Sequence, residues 1–129
     1  MNTRLLGIDP GQKKTGLAWC GPGGLTEPLR TVPSDQLLAE LERLCAELAI
    51  DRLVCGLPLR NGKLGSAARV VRRKALRLAE ALNLPCDFVD EAETTDEART
   101  LRPGVKDVDA LAAVLILERY LDDGPWSIR

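Results

Sequence analysis

The stretch that most constrains the fold lies near the start. Leu5–Cys20 reads as strand, tight turn, strand: LLGID, then PGQKKTG, then LAWC. Leu5, Leu6 and Ile8 form a short apolar run with strand chemistry. The run ends on Asp9, and Pro10-Gly11 breaks it at once. A carboxylate at the tip of a central strand has left the core but is held by a rigid element, which is where a metal-binding or catalytic acid can be placed accurately. Gly11 and Gly16 lack a Cβ, so the turn can bend sharply and admit a phosphate or metal to the backbone. Lys13 and Lys14 put positive charge beside the acid. The plainer reading of the same residues is a hairpin whose Asp9 begins the turn.

Composition narrows the chemistry. A chain of 129 residues, 45% hydrophobic and 29% charged, is expected to form one domain over 1–129, with 122–129 as a frayed tail. No apolar run approaches the ~20 residues of a membrane span, and no basic segment precedes a long apolar one at the N-terminus. The expected compartment is the cytoplasm. Cys20, Cys45, Cys55 and Cys86 form no Cys-x-x-Cys pair and read as small core residues. There is no histidine. That excludes Ser-His-Asp and Cys-His nucleophiles and zinc held by imidazole. Catalysis must use carboxylates, lysine or a metal.

The net charge is −1, so no global basic field attracts nucleic acid. The charges are nevertheless segregated. Arg60, Lys63, Arg69, Arg72, Arg73, Lys74 and Arg77 precede the single acid Glu80, whereas Asp87, Asp90, Glu91, Glu93, Asp96 and Glu97 follow with no base among them. A basic strip and an acidic cluster can face a polyanion with a metal between them. The plainer reading of Arg69–Arg77 is a solvated helix face.

Along the chain, Leu25–Val32 is expected as a third strand, at an edge because Pro28 interrupts it. Ser34 can cap an amphipathic helix over Asp35–Ala49. Arg52–Gly56 reads as a buried strand parallel to the first, followed by a loop through Gly65. Ser66 can cap a helix with Ala67, Val71, Ala75, Leu78 and Leu82 inward. Cys86–Val89 is a further strand ending on Asp90-Glu91, Thr94 or Thr95 can cap a short helix through Leu101, and Asp109–Leu121 is apolar nearly all round, as in a helix packed between a sheet and other helices. The fold class is α/β: a five-stranded mixed sheet, the first three strands antiparallel and the last two parallel to the first, flanked by helices.

Three acids occupy comparable places. Asp9 ends the first strand, Glu91 ends the last, and Asp109 opens the apolar helix. Parallel strands put their C-terminal ends on one sheet edge, where ligands gather in open α/β sheets. Converging carboxylates repel unless a cation joins them. Oxygen ligands without His or clustered Cys select Mg²⁺ or Mn²⁺, and two such ions ~4 Å apart can clamp a phosphodiester. Each acid also has a plainer reading: Glu91 as a solvated charge, Asp109 as an N-cap or first-turn acid. Asp90 and Asp107 rank lower, as strand-end and turn acids.

Taken together these residues resemble the YqgF/RuvX family. The matching segments are Leu6-Gly7-Ile8-Asp9-Pro10-Gly11 with Lys13, Lys14, Gly16 and Ala18; Gly56-Leu57-Pro58 with Asn61-Gly62 and Gly65; Asp90-Glu91 with Thr94-Thr95; and Asp109 with Ala112, Ala113, Ile116 and Leu117. They run in order through nearly the whole chain. The resemblance implies an RNase H-like fold similar to the RuvC junction resolvases, and activity as a pre-16S rRNA nuclease or a Holliday junction resolvase. It implies Asp9, Glu91 and Asp109 as the metal-binding triad, with Gly11 and Gly56-Leu57-Pro58 in loops beside the site. The family usually follows Asp-Glu with Arg and an apolar residue, whereas this chain has Ala92 and Glu93.

The expectation is therefore a Mg²⁺- or Mn²⁺-dependent endonuclease, using two ions, on structured RNA such as pre-rRNA or on branched DNA. Lys13, Lys14, Lys63, Arg69, Arg72, Arg73 and Arg77 would contact phosphates. A junction's two-fold symmetry would call for a homodimer. Two rivals stand beside it: a non-catalytic RNA-binding or ribosome-assembly factor on the same fold, and an actin-like nucleotide-binding domain, suggested by Asp-x-Gly but lacking a second lobe.

Overall fold

The computed structural model describes residues 3–91 and 107–126. The opening hairpin forms as its apolar alternation requires. β1 (Leu5–Asp9) and β2 (Lys14–Cys20) pair antiparallel, with Leu5 opposite Cys20 and Asp9 opposite Gly16. The turn between them is shorter than the sequence suggests, and Gly16 belongs to the strand. β3 (Thr26–Pro33) pairs with β2 at the edge of the sheet. Pro28 is accommodated by a slip in register: Leu17 faces Arg30 but Ala18 faces Pro28, so Leu29 is the extra residue of a bulge. β4 (Arg52–Leu57) runs parallel to β1, and β5 (Cys86–Asp90) parallel to β4, in the order β3-β2-β1-β4-β5. This is the mixed sheet expected from the sequence.

Alternation along the strands divides the core in two. On one face Leu6, Ile8, Leu17, Leu53, Cys55 and Leu57 pack with Leu41 and Leu44 of α1 (Leu37–Glu47) and with Ala68, Ala75 and Ala79 of α2 (Ser66–Leu82). On the other, Leu5, Ala18, Val54 and Val89 pack with Leu111, Ala113, Val114, Ile116 and Leu117 of α3 (Val108–Asp123). α3 touches all five strands, which explains its almost continuous apolar sequence. Cys20 and Cys55 are buried, Cys45 and Cys86 are half-buried, and all four are free thiols. No helix among the described residues is long and apolar enough to cross a membrane.

Several local expectations are corrected. Ser34 is not a cap: Pro33 holds the cap position of a 3-10 turn, Ser34–Gln36, that leads into α1, and Ser34 spends its hydroxyl elsewhere. Ser66 is the first residue of α2, behind Gly65 at the cap. Ala67 is exposed and its neighbour Ala68 takes the buried place, while Val71, Ala75, Leu78 and Leu82 face the core as expected. Asp107, not Asp109, caps α3: its carboxylate accepts from Ala110 N at 3.1 Å. The same carboxylate accepts from the amide of Thr31 at 3.1 Å and from the Thr31 hydroxyl, so one acid pins the start of α3 to the edge strand. The tail is held at least to Trp126, whose amide donates to Phe88 O at 2.7 Å and whose indole reaches Gly62 O at 3.3 Å. The expected helix from Thr94 or Thr95 to Leu101, and the positions of Ala92 and Glu93, lie outside the described residues.

Asp107 joins two elements through three donors, so its loss removes a cap and a cross-element tie together. Asp107→Ala is expected to cost about 2 kcal/mol in urea denaturation, and Thr31→Val less. Equal stability of Asp107→Ala and the wild type would refute this role.

Candidate active site

Asp9 is the last residue of β1, and the alternation of the strand turns it, like Leu5 and Gly7, toward the face covered by α3. It is only 9% exposed. Its partner across the hairpin is Gly16, and there the first turn of α3 lies directly on the backbone. A Cβ on Gly16 would stand 2.0 Å from the carbonyl oxygen of Asp109, so the bare glycine is what lets Asp109 come down beside Asp9. Asp107 performs the capping, and Asp109, half-buried, directs its carboxylate to Lys14, with Oδ2 3.3 Å from Nζ.

Glu91 arrives from the other side. Its amide, just past β5, donates to Leu57 O at 2.9 Å, extending the β4–β5 pairing by one residue. Below it lies Gly56, where a Cβ would stand 2.8 Å from Glu91 Cβ and 3.0 Å from Oε2. Gly16 and Gly56 are thus the two close approaches that bring acids from α3 and β5 to the tip of β1. Gly7 continues the same smooth floor, a Cβ there meeting Leu117 Cγ at 2.6 Å.

Burial and mutual repulsion govern the electrostatics. The side chains of Asp9 and Glu91 are hydrogen-bonded to each other. Burial pushes Asp9 up from 3.8 to about 6, the hydrogen bond with Glu91 pulls it down, and the charge of Asp109 pushes it up. Burial likewise pushes Glu91 from 4.5 to about 8, reinforced by its bond to Asp9 and by the charges of Asp9 and Asp90. Both shifts favour the protonated form of the pair over two bare carboxylates. Among the described residues no three acid, cysteine or histidine side chains converge tightly enough to chelate an ion as they stand. Asp109 is near enough to act on Asp9 by charge while paired to Lys14.

The other predicted residues fall in two groups. Gly11, Lys13 and Lys14 stay with the acids: a Cβ on Gly11 would meet Lys14 O at 2.2 Å, so the turn is closed tightly, and both lysines are exposed. Gly56 and Leu57 seat Glu91 as described, and Pro58 follows them. The second group is carried elsewhere. Arg69, Arg72, Arg73 and Arg77 lie on α2, in the layer on the sheet face opposite α3. Lys63 is exposed in the loop before α2, where it bridges to Arg60. The sequence reading missed Asp107 as the cap and Thr15 and Ser34 as partners of the lysine turn. Asp107 had a legible signal, since Asp three residues before Ala110 at the head of an apolar run is N-cap spacing.

A mixed sheet in this order, helices on both faces and acids at the C-terminal ends of the parallel strands β1 and β5 define the RNase H-like class. The chain superposes on solved structures of that class. These are the Thermus thermophilus RuvC structure (TM-score 0.60, 15% identity, 95% of this chain and 98% of that one) and T. thermophilus RuvC in complex with Holliday junction substrate (TM-score 0.58, 14% identity, 96% and 99%). At such identities the likeness is one of fold. Sequence comparison goes further. The family model "RuvX: Holliday junction resolvase" matches residues 3–123. Relatives from Thermosynechococcus vestitus (38% identical, 92% of this chain and 87% of the relative) and Gloeothece citriformis (40%, 91% and 86%) are each named "Putative pre-16S rRNA nuclease". The chain belongs to the RuvX family, the YqgF/RuvX family its motifs resemble, and so to a family of phosphodiester-hydrolysing nucleases.

Two outcomes follow from the geometry. Gly56→Ala forces Glu91 or Ile116 aside and is expected to destabilise the fold by roughly 1–3 kcal/mol, measurable by thermal melting; an unchanged melting temperature would contradict the close approach. The raised acids carry a sign. An acid whose folded pKa lies above its unfolded value adds nothing below about pH 4.5 and an increasing penalty as pH climbs toward 8. Glu91→Gln removes that penalty. It is expected to gain on the order of 2–4 kcal/mol over the wild type at pH 9, at about 1.4 kcal/mol per pKa unit, and little at pH 4.5. A difference independent of pH would refute the raised Glu91.

Proposed function

We propose that this nuclease is an endonuclease dependent on Mg²⁺ or Mn²⁺, with Asp9, Glu91 and Asp109 as its metal-binding and catalytic residues, and that it acts as a single domain in the cytoplasm. The observation that carries the reading is the buried convergence of Asp9 and Glu91 beside the tip of β1, with Asp109 near enough to raise Asp9 by its charge; burial pushes both Asp9 and Glu91 up, and a positive charge between them would offset that cost. A divalent cation supplies that charge, and in a chain without histidine the donors are hard carboxylate oxygens that suit Mg²⁺ or Mn²⁺. When bound, one or two such ions polarise the scissile phosphate and lower the pKa of water enough for attack.

The residues divide the remaining work. Asp9, central and most buried, is the anchor common to the whole set. Glu91 would be a ligand in its ionised form, and Gly56 and Leu57 hold it in reach. Asp109 would complete the ligand set, and the Lys14 ammonium now on Asp109, with Lys13 beside it, would then be available to a phosphate oxygen. Lys63 and the α2 arginines hold phosphates farther from the cut, around the sheet edge.

The substrate we favour is structured RNA, with 5′-end processing of pre-16S rRNA as the role. The names of relatives matching over most of their length support it. The family description and the likeness to RuvC favour a second reading, cleavage of a four-way DNA junction by a homodimer. Both readings need the same acids. A pre-16S rRNA 5′ fragment and a synthetic junction, each with Mn²⁺ and with EDTA, separate them. Cleavage of at least one is expected with Mn²⁺ and none with EDTA, and Asp9→Asn and Asp109→Asn should each lower the rate at least on the order of 100-fold. Cleavage that survives EDTA, or variants as fast as wild type, would overturn the proposal. Binding of the RNA without cleavage would favour an assembly factor instead.

A further inference from the structure

The turn carrying Lys13 and Lys14 is gripped from outside by a residue whose helix does not need it. Ser34 stands where β3 gives way to the 3-10 turn, and Pro33 holds the cap position there. Its amide donates to the carbonyl of Lys13 at 2.9 Å. Its hydroxyl donates to the carbonyl of Gly11 at 2.8 Å. Behind it lies Thr15, 1% exposed, with Oγ1 2.8 Å from Ser34 Oγ. A serine hydroxyl has one proton, and Ser34 gives it to Gly11. Thr15 must therefore be the donor to Ser34, and the chain runs one way, from the buried threonine through the serine to the turn.

The grip falls at a place of consequence. Gly11 O and Lys13 O flank the tip of the turn, Gly11 admits no Cβ beside the Lys14 carbonyl, and Lys14 leaves the turn with its ammonium on Asp109. Lysine is a point charge on a flexible stem. Where its charge can stand is decided by the backbone from which the stem starts. A turn left loose in the free protein would have to be ordered on binding, which lowers affinity.

The structure assigns Ser34 as a positioning residue: with Thr15 behind it, Ser34 fixes the Gly11–Lys14 turn and so places the lysine charge where a substrate phosphate meets Asp9 and Asp109. The assignment rests on the nuclease reading of this site. Ser34 acts through Lys14 and touches no reacting atom. Its effect should therefore appear in how tightly the nucleic acid is held and should vanish when the Lys14 charge is absent.

The test is single-turnover cleavage in Mn²⁺ of whichever of the two substrates the wild type cuts. Protein is titrated to give a half-saturation concentration and a plateau rate, at several salt concentrations. Ser34→Ala is expected to raise half-saturation roughly 3- to 10-fold, to lower its salt slope by up to about 1, as for a lost phosphate contact, and to change the plateau less. Ser34→Thr, which keeps the hydroxyl, should restore most of the affinity. Thr15→Val should act in the same direction as Ser34→Ala and serves as the second variant if Ser34→Ala does not fold. In a Lys14→Gln background, Ser34→Ala should add less than about twofold. Equal effects of Ser34→Ala with and without Lys14, or a titration superimposed on wild type, would overturn the assignment while leaving the nuclease reading intact. A wild type that cuts neither substrate would overturn both.

Discussion

Carboxyl groups cannot be buried side by side without a proton or a cation among them, and this constraint organises the molecule around the tip of β1. Asp9 and Glu91 meet it by a mutual hydrogen bond and a raised preference for the protonated form, and Asp109 meets it with the ammonium of Lys14. Both solutions are expensive in a folded protein. A raised pKa is stability forgone at neutral pH, and an exposed lysine pairs weakly. A chain that kept these acids for structure alone would do better with apolar residues at the same positions.

The fold supplies the convergence by leaving atoms out. α3 lies close enough to the sheet to bring Asp109 to Asp9 because Gly16 and Gly7 carry no side chain beneath it, and Gly56 opens the space that Glu91 fills. The apolar face of α3, through Leu111, Val114, Ile116 and Leu117, holds it there. Asp107 then fixes where the helix begins by tying it to Thr31. Capping and the pairing with Lys14 fall to two acids two residues apart, Asp107 facing the edge strand and Asp109 the lysine turn.

Much of this was legible in the sequence, for identifiable reasons. Strand order and direction follow from an apolar hairpin, a Pro-bearing edge strand and two compact runs separated by helical periodicity, and right-handed crossovers leave few ways to join them. The convergence of Asp9 with Glu91 follows from parallel β1, β4 and β5. What local patterns could not show was set by tertiary contacts. Gly16 reads as a turn residue, yet it sits in β2 because α3 needs its bare surface. Ser34 and Ser66 read as caps by chemistry, yet Ser34 is engaged by Thr15 and Gly11 across the hairpin, and Ser66 lies one residue inside its helix. The tail through Trp126 reads as frayed, yet it bonds to Phe88. Helical charge likewise says nothing about layer, and the α2 arginines stand across the sheet from α3.

The central claim is that Asp9, Glu91 and Asp109 form one divalent-cation site. Anomalous diffraction from crystals of the wild-type protein grown with Mn²⁺ addresses it directly. The account predicts a manganese peak within coordination distance of carboxylate oxygens of Asp9, Glu91 and Asp109, with Lys14 withdrawn from Asp109. Manganese bound elsewhere, or a clean map at this corner with the Asp9–Glu91 and Lys14–Asp109 contacts unchanged, would contradict it.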